Sequence, residues 1–383
     1  MWFDARVRLT FLIACMLLFA ALLLPQALYA ADGKTPGVAL PKGERVLDLA
    51  WADNGNLTLV VTAGDGYALR RLELKSAELS VLAVPKSIGQ LRHGKKGFTD
   101  PQLYLAPAGN ALAVLVPSPD PLKMSDLGVY RITQSGLEPV TSRSIPAGFY
   151  VDHLAWESSG QELYLSSRPY LSPEQPYSIG RLDVQSGRFV GVTLKGNVDL
   201  VDELVCLPGK QLLAVRCGGY RGEYPDEKLI ALLDLSNAAA SVLHSRADGL
   251  ELFALADGQL LVCRPAQADA AGDPPPAGAD DGPWILNEES LQLEPARLSL
   301  VSSPETLAAT PDGAWYGFLA SGSALGAEEG KDQLYLGLQQ TATGRTLATA
   351  LPSSRFAFSP NGALVCAVDT SGKAVYFFQL PQS

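Results

Sequence analysis

The sequence predicts an all-β fold, a seven-bladed β-propeller of four-stranded antiparallel blades, on three observations. Short runs of alternating apolar residues meet at glycine-centred turns along most of the chain. The turns recur at a nearly constant spacing. Each end of the chain supplies what the other lacks.

Seven hairpins align on their turns. They read "LAWADNGNLTLVV", "LYLAPAGNALAVLV", "LAWESSGQELYLSS", "LVCLPGKQLLAVRC", "FALADGQLLVCR", "LAATPDGAWYGFLA" and "FAFSPNGALVCAV". Their glycines, Gly55, Gly109, Gly160, Gly209, Gly258, Gly313 and Gly362, are 54, 51, 49, 49, 55 and 49 residues apart. Four short strands with their turns fill such a period. Each repeat supplies its outer two strands as well, as in "SIGRLDVQSGRFVGVTL", "GVYRITQSGLEPVTS" and "LIALLDLSNAAASVLHS". The last repeat stops at "KAVYFFQLPQS" without a fourth strand, and "TPGVALP" (35–41) resembles the fourth strands "SVLAVP" and "TLATALP". It is expected to complete the last blade, so that the propeller spans 35–383 and no open edge invites aggregation.

Ahead of the repeats, Arg6 and Arg8 precede the apolar run "LTFLIACMLLFAALLLP" and the small-residue end "QALYAAD". This pattern predicts a secretory signal peptide over 1–30 and a periplasmic or secreted mature protein. The run is short against the roughly 20 residues of a membrane span, so none is expected after cleavage. A formal charge of −10, from 40 acids and 30 bases, argues against a nucleic-acid partner, whose phosphates an acidic surface repels. Cys206, Cys217, Cys263 and Cys366 lie in apolar runs without metal-ligand spacing and are read as buried thiols.

The "TPDG" and "SPNG" turns use Pro and Asp or Asn before Gly because a tight turn needs preset and left-handed backbone angles. With their flanking strands they resemble the WD-like repeat of TolB-type exported propellers, over about a dozen residues in each of the seven repeats. "APAG", "ESSG" and "LPGK" depart from the pattern. The resemblance implies a docking scaffold without catalytic residues of its own. TolB itself carries an extra N-terminal domain and six blades, so its particular partners do not carry over.

Charges recur at the open ends of three hairpins. Counting outward from each turn pairs Asp152 with Arg168, Asp202 with Arg216 and Glu251 with Arg264, and the arginines follow one another at 48 residues. In a propeller these ends share the face at the mouth of the central channel. Asp48, Asp100 and Glu305 are expected there too, giving a ring of acids partly neutralised by arginine. Two readings stay open: inter-strand ion pairs worth about 0.2–1 kcal/mol each, or a concave polar site that concentrates a cation or a basic peptide. Long loops of repeats 2 to 6 lie on the same face, with Tyr170, Tyr177, Tyr220 and Tyr224 as candidate contact residues.

No reaction is named by a motif. There is no G-x-S-x-G elbow, no phosphate-cradling glycine loop and no pairing of His93, His153 and His244 at metal-ligand spacing. The leading expectation is therefore an exported, non-catalytic propeller that binds a protein or peptide through its top face, with no cofactor. One alternative is a propeller hydrolase or lyase using the acidic mouth with a divalent cation, since enzymes of this fold site their polar groups there. Another is a structural envelope component whose rim is the contact surface.

Overall fold

The computed structural model describes residues 37–93, 100–116, 126–140, 151–167, 178–193, 200–207, 212–218, 228–234, 239–244, 250–255, 258–263, 283–287, 290, 292–296, 306–322, 325 and 333–381. The segment expected to be a signal peptide lies outside them, as do most of the long loops.

After a short strand β1 (Gly37–Ala39), repeat 1 folds as β2 (Glu44–Asp53), β3 (Asn56–Ala63), β4 (Gly66–Glu73) and β5 (Glu78–Leu82). A single helical turn, α1 (Lys86–Gly89), leads to repeat 2: β6 (Gln102–Leu105), β7 (Ala111–Val116), β8 (Asp126–Ile132) and β9 (Leu137–Pro139). Repeat 3 is β10 (Val151–Trp156), β11 (Glu162–Ser167), β12 (Ser178–Asp183) and β13 (Phe189–Thr193). Repeat 4 is β14 (Leu200–Cys206), β15 (Leu212–Gly218), β16 (Lys228–Asp234) and β17 (Ala239–His244). Repeat 5 is β18 (Glu251–Ala254), β19 (Leu260–Cys263), β20 (Trp284–Asn287) and β21 (Gln292–Pro295). Then come β22 (Thr306–Ala309), β23 (Trp315–Ser321), β24 (Leu334–Gln340), β25 (Thr346–Phe358), β26 (Leu364–Asp369) and β27 (Ala374–Gln379).

Repeats 1 to 5 are each a four-stranded antiparallel sheet in sequence order, and the remaining strands join in one seven-stranded sheet. The join is β25, which is 13 residues long. Its first part, Thr346 to Pro352, pairs with β24, and its second part, Ser353 to Phe358, pairs with β26. β1 pairs antiparallel with β27, Val38 opposite Val375, and so lies where the sequence places a missing fourth strand.

Hydrophobic burial holds the sheets face to face. Repeats 1 and 2 share a core around Val60, Leu69 and Leu112, and repeats 2 and 3 one around Ala113, Leu163 and Leu165. Further cores join repeats 3 and 4 at Ile179 and Val201, 4 and 5 at Ile230 and Leu260, and 5 and 6 at Leu261 and Phe318. Trp315 and Leu336 of repeat 6 pack with Val365 and Ala367, and Leu57 and Leu59 of repeat 1 pack with Cys366 and Phe377. Two tryptophans tie seams with equivalent bonds: Trp156 Nε1 donates to the Tyr104 carbonyl at 2.9 Å, and Trp51 Nε1 to the Ala357 carbonyl at 3.0 Å. The expectation of buried, unpaired thiols holds for Cys206, Cys263 and Cys366, each pushed up to about 12 by burial first.

Candidate functional site

The hairpin register differs from the one counted in the sequence. Arg216 faces Glu203, not Asp202: the ladder runs unbroken from Cys206 opposite Leu213 out to this pair, and a bulge between Val201 and Glu203 lies beyond it. β10 bulges between Val151 and Leu154, with Val151 opposite Ser167, and Arg168 lies outside the described residues. Glu251 faces Cys263, one residue short of Arg264. In all three hairpins the ladder nearest the turn is unbroken and sits one residue off the register counted in the sequence, so the difference arises at the turn, and the bulges of β10 and β14 shift the register only beyond it. Equivalent bulges lie between Val46 and Asp48 in β2 and between Ser353 and Arg355 in β25.

Counted from the turn ends of the ladders, the first strands show a common plan. Apart from one pair, Asp53 with Asn56, that β2 adds beyond a shift, their unbroken ladders run to Trp51, Leu105, Trp156, Cys206, Ala254, Ala309 and Phe358, opposite Leu57, Leu112, Leu163, Leu213, Leu260, Tyr316 and Val365. Three residues before each of these stand Asp48, Gln102, His153, Glu203, Glu251, Thr306 and Arg355. Every one is polar and every one precedes a Leu or Phe: "DLAW", "QLYL", "HLAW", "ELVC", "ELFA", "TLAA", "RFAF". That signal was open to sequence reasoning, which began its alignment one residue too late and so missed Gln102, His153, Glu203, Thr306 and Arg355. Ala50, two residues beyond Asp48, packs towards repeat 2, and Ala357, two beyond Arg355, packs towards repeat 1. Side chains two apart share a strand face, so each polar residue leans towards the following repeat. First strands of successive repeats adjoin one another, β14 against β18, β18 against β22 and β25 against β2 among them.

Two of the acids are engaged with backbone. Asp48 accepts from the Leu49 amide at 2.9 Å and, across the seam, from the Leu105 amide of repeat 2 at 3.2 Å. Burial pushes its carboxyl up, against the opposing pull of Arg355 and these two amides. Glu203 accepts from the Leu252 amide of repeat 5 at 3.2 Å and lies 3.6 Å from Arg216. Arg216 in turn donates to the Leu250 carbonyl.

Behind the ring, the facing position on the second strand divides the molecule. It is apolar and buried as Val60, Leu115, Leu319 and Val368 in repeats 1, 2, 6 and 7. Repeats 4 and 5 place Arg216 and Cys263 there. In repeat 3 the buried Ser166 hydroxyl meets the His153 backbone, accepting from its amide at 3.1 Å. The polar wall is two residues deep in repeats 3 and 4, whereas the Cys263 thiol of repeat 5 packs in the apolar core shared with repeat 6.

Of the other residues singled out in the sequence, Asp100 is exposed just ahead of β6, and its charge, after burial, helps push the Tyr67 phenol up. Arg168, Tyr170, Tyr177, Tyr220, Tyr224, Arg264 and Glu305 lie outside the described residues, as do the side chains of Asp152 and Asp202.

These stacked four-stranded antiparallel sheets define a β-propeller fold, and the most similar solved structures share it. Oligogalacturonate lyase from Vibrio parahaemolyticus aligns with a TM-score of 0.60 at 11% identity, over 92% of this chain and 95% of that one. An oligogalacturonate lyase in complex with manganese aligns at 0.58 and 14% identity, over 92% and 96%. A chain of the mitotic checkpoint complex aligns at 0.52 and 13% identity, over 92% and 96%. TolB from Acinetobacter baumannii overlaps more loosely, at 0.44 and 14% identity over 85% and 79%. The likeness is one of fold, shared by an enzyme and by a member of a protein assembly. No family model matches the sequence, and no curated protein matches it.

The manganese of one neighbour calls for a test of the donor set here. Among the described residues no group of three or more His, Cys, Asp or Glu is placed to hold a metal ion. Asp48 and Glu203 already accept backbone amides from neighbouring repeats. The described residues do not fit a resident metal. Among them, too, no helix is long and apolar enough to cross a membrane.

Proposed function

We propose that this chain is an exported, closed seven-bladed propeller, 35–383 after a signal peptide over 1–30, that binds a protein or peptide at the mouth of its axial channel. A count of seven is supported by the division of β25 between two sheets, as the last strand of one blade and the first of the next, and closure by the pairing of β1 with β27 and the core shared by repeats 7 and 1. The observation that carries the binding reading is the wall of repeats 3 and 4, where a second polar layer of Ser166 and Arg216 backs the first-strand polar residues while the facing positions of other repeats are apolar. Buried polar groups are costly unless hydrogen-bonded, as these are, and concave sites with a few placed polar groups are where ligands bind. The acids and tyrosines of the adjoining top face, Asp152, Asp202, Tyr170, Tyr177, Tyr220 and Tyr224 with Arg168 and Arg264, would extend the contact surface.

The test is capture of a partner from an envelope extract by the wild-type chain and by Glu251→Lys, with matched melting temperatures as the folding control. Loss of the captured protein in the variant supports the mouth as the site, and equal capture moves the contact to the rim. Mass analysis of the exported chain checks the start of the mature protein near Ala31. A second reading, a lyase acting on an acidic oligosaccharide, is favoured by the alignment with the two oligogalacturonate lyases. It predicts growth in ultraviolet absorbance of an unsaturated product when oligogalacturonate is added with manganese.

A further inference from the structure

The seam between repeats 7 and 1 brings two basic turns together. Pro41 to Glu44 form one, the Glu44 amide donating to the Pro41 carbonyl at 3.1 Å and Gly43 sitting at φ 90°. Glycine meets the positive φ that the third residue of such a turn requires, and Lys42 stands at the corner before it. The second turn runs from Asp369 to Gly372, closed by the Gly372 amide on the Asp369 carbonyl at 2.9 Å and followed by Lys373. Across the seam, Leu40 donates to the Lys373 carbonyl and Val46 to the Gly372 carbonyl, both at 2.8 Å. A Cβ on Gly372 would lie 3.2 Å from that of Arg45. Lys42, Arg45 and Lys373 are thus neighbours, although "PKGER" and "SGK" stand far apart in the sequence. Arg355 adjoins them from β25, one residue past Ser354, whose hydroxyl donates to the Asp369 carbonyl at 3.0 Å.

The acids nearby are engaged elsewhere. Asp369 turns its carboxylate onto its own turn, accepting from the amides of Lys373 at 2.7 Å and Ala374 at 3.0 Å and from the Ser371 hydroxyl. Glu44 is buried and paired with Arg70. Asp48 accepts the Leu49 and Leu105 amides, and Arg355 acts on it without forming an ion pair. At the β3–β4 turn, Asp65 is matched by Arg92 at 3.1 Å. Lys42, Arg45, Arg355 and Lys373 are all exposed, and among the described residues none of the four forms an ion pair. Like charges gathered on one surface repel one another. A chain with 40 acids and 30 bases has acids to set among them, and here it does not.

We propose that this cationic surface, Lys42, Arg45 and Lys373 with Arg355 beside them, docks an acidic polypeptide segment of a partner protein. Opposite charge draws in and orients such a segment before contact, and lysine and arginine then donate charge-assisted bonds to its carboxylates. The surroundings favour a polypeptide. Among the described residues Val81 is the one exposed large hydrophobic side chain, and it lies on β5, the outer strand of repeat 1. The described part of the basic surface therefore offers no apolar side chain to insert into a bilayer and no exposed ring on which a sugar would stack. The surface stands apart from the wall of Ser166 and Arg216 and does not rest on the reading of that wall. It is assembled only where repeats 7 and 1 meet.

The experiment measures binding of fluorescent Gly-Glu-Glu-Glu-Gly to the full mature chain by anisotropy, beside its glutamine counterpart, phosphatidylglycerol vesicles and oligogalacturonate. At about 0.01 M ionic strength the glutamate peptide should bind at least about tenfold tighter than the glutamine peptide, and the preference should shrink towards about 1 M salt. The triple variant Lys42→Gln, Arg45→Gln, Lys373→Gln should bring the two peptides within about twofold of each other. Its melting temperature should be unchanged, because all three side chains are exposed. A second triple variant, Lys75→Gln, Arg188→Gln, Arg345→Gln, removes the same net charge from exposed positions at the outer turns of three repeats and should keep the preference. Equal binding of the two peptides, or the same loss in both triple variants, overturns the inference, since bulk charge then explains the whole effect. Binding of vesicles or of oligogalacturonate without preference for the glutamate peptide overturns the polypeptide partner. Dimerisation that the first triple variant abolishes overturns the separate partner, since the acidic segment then belongs to a second copy of this chain.

Discussion

Repeats 3 and 4 and the arc formed by repeats 6, 7, 1 and 2 use one hairpin plan with opposite interiors, with repeat 5 and its buried Cys263 on the apolar side. Opposite Asp48, Gln102, Thr306 and Arg355 the second strand offers Val60, Leu115, Leu319 and Val368, all buried. Opposite Glu203 it offers Arg216, which reaches out of its own sheet to the Leu250 carbonyl. Both Asp48 and Glu203 bond a neighbour's backbone, so the facing position decides whether such a carboxylate also has a guanidinium behind it.

Exchanging the two solutions tests the comparison most severely. Val368→Arg places a cation at a fully buried position opposite Arg355, where the nearby carboxylate, Asp48, already interacts with Arg355 and accepts the Leu49 and Leu105 amides. Unpaired buried charge is among the costliest changes a fold can suffer, and urea unfolding should show a loss of more than about 4 kcal/mol. The reverse exchange, Arg216→Val, leaves Glu203 without its guanidinium and the Leu250 carbonyl without its donor. It should be milder, about 2–3 kcal/mol, because Arg216 and Glu203 keep 22% and 25% of their side-chain surface in water. If both exchanges cost the same, the two arcs do not differ in the way proposed.

The repeat and its strands were legible in the sequence because apolar alternation and turn glycines are local signals. The sheet order follows from them, and Val38 of "TPGVALP" does meet Val375. The facing pairs were not legible. The residue on which a hairpin turn centres has no sharp signature in side-chain type, and a shift of one residue there puts Arg216 opposite Glu203 rather than Asp202. His153 and Arg355 were missed for another reason: a polar residue before "LAW" or "FAF" reads as a strand's first residue until the ladders show that all seven share one place.

Two tryptophans compare the seam at the chain ends with an interior seam. Trp51→Phe removes the indole bond to the Ala357 carbonyl, between repeats 1 and 7, and Trp156→Phe removes its counterpart between repeats 3 and 2. Each should cost about 1–2 kcal/mol in denaturant unfolding. In a closed ring the two seams are equivalent and the losses match to within about 0.5 kcal/mol. A negligible loss for Trp51→Phe alone would mean that repeats 7 and 1 can part freely.

A smaller effect is expected at the strand that meets β27. A Cβ on Gly37 would lie 2.7 Å from Cε1 of Tyr376, whose ring is only partly buried and can swing aside. Gly37→Ala should therefore lower stability by about 1 kcal/mol or less. Its clearer mark is faster amide hydrogen exchange over Ala374 to Tyr376, with repeat 3 unchanged. Uniform exchange in both variant and wild type would remove β1 from any part in holding the ends together.

The smallest effect concerns pH, where the ring and the turns should respond with opposite sign. Asp48 is pushed up by burial, against the pull of Arg355 and the Leu105 and Leu49 amides. A carboxyl raised in the folded state stabilises fully below the ordinary carboxylate range and loses that contribution as pH rises through its folded value. Asp312 is held low by the Thr310 hydroxyl and the Ala314 amide, and Asp183 by the Ser186 hydroxyl and amide. Their contribution is present at neutral pH and is lost as pH falls through their depressed values. Melting curves between about pH 3 and about pH 7 should show Asp48→Asn gaining on wild type as pH rises, and Asp312→Asn losing ground over the same interval. Arg355→Gln removes the charge that opposes burial at Asp48, so it should steepen the wild-type decline. Parallel curves for Asp48→Asn and wild type would mean that water reaches Asp48 freely, and the ring would then be an ordinary solvated surface in the apolar arc as well.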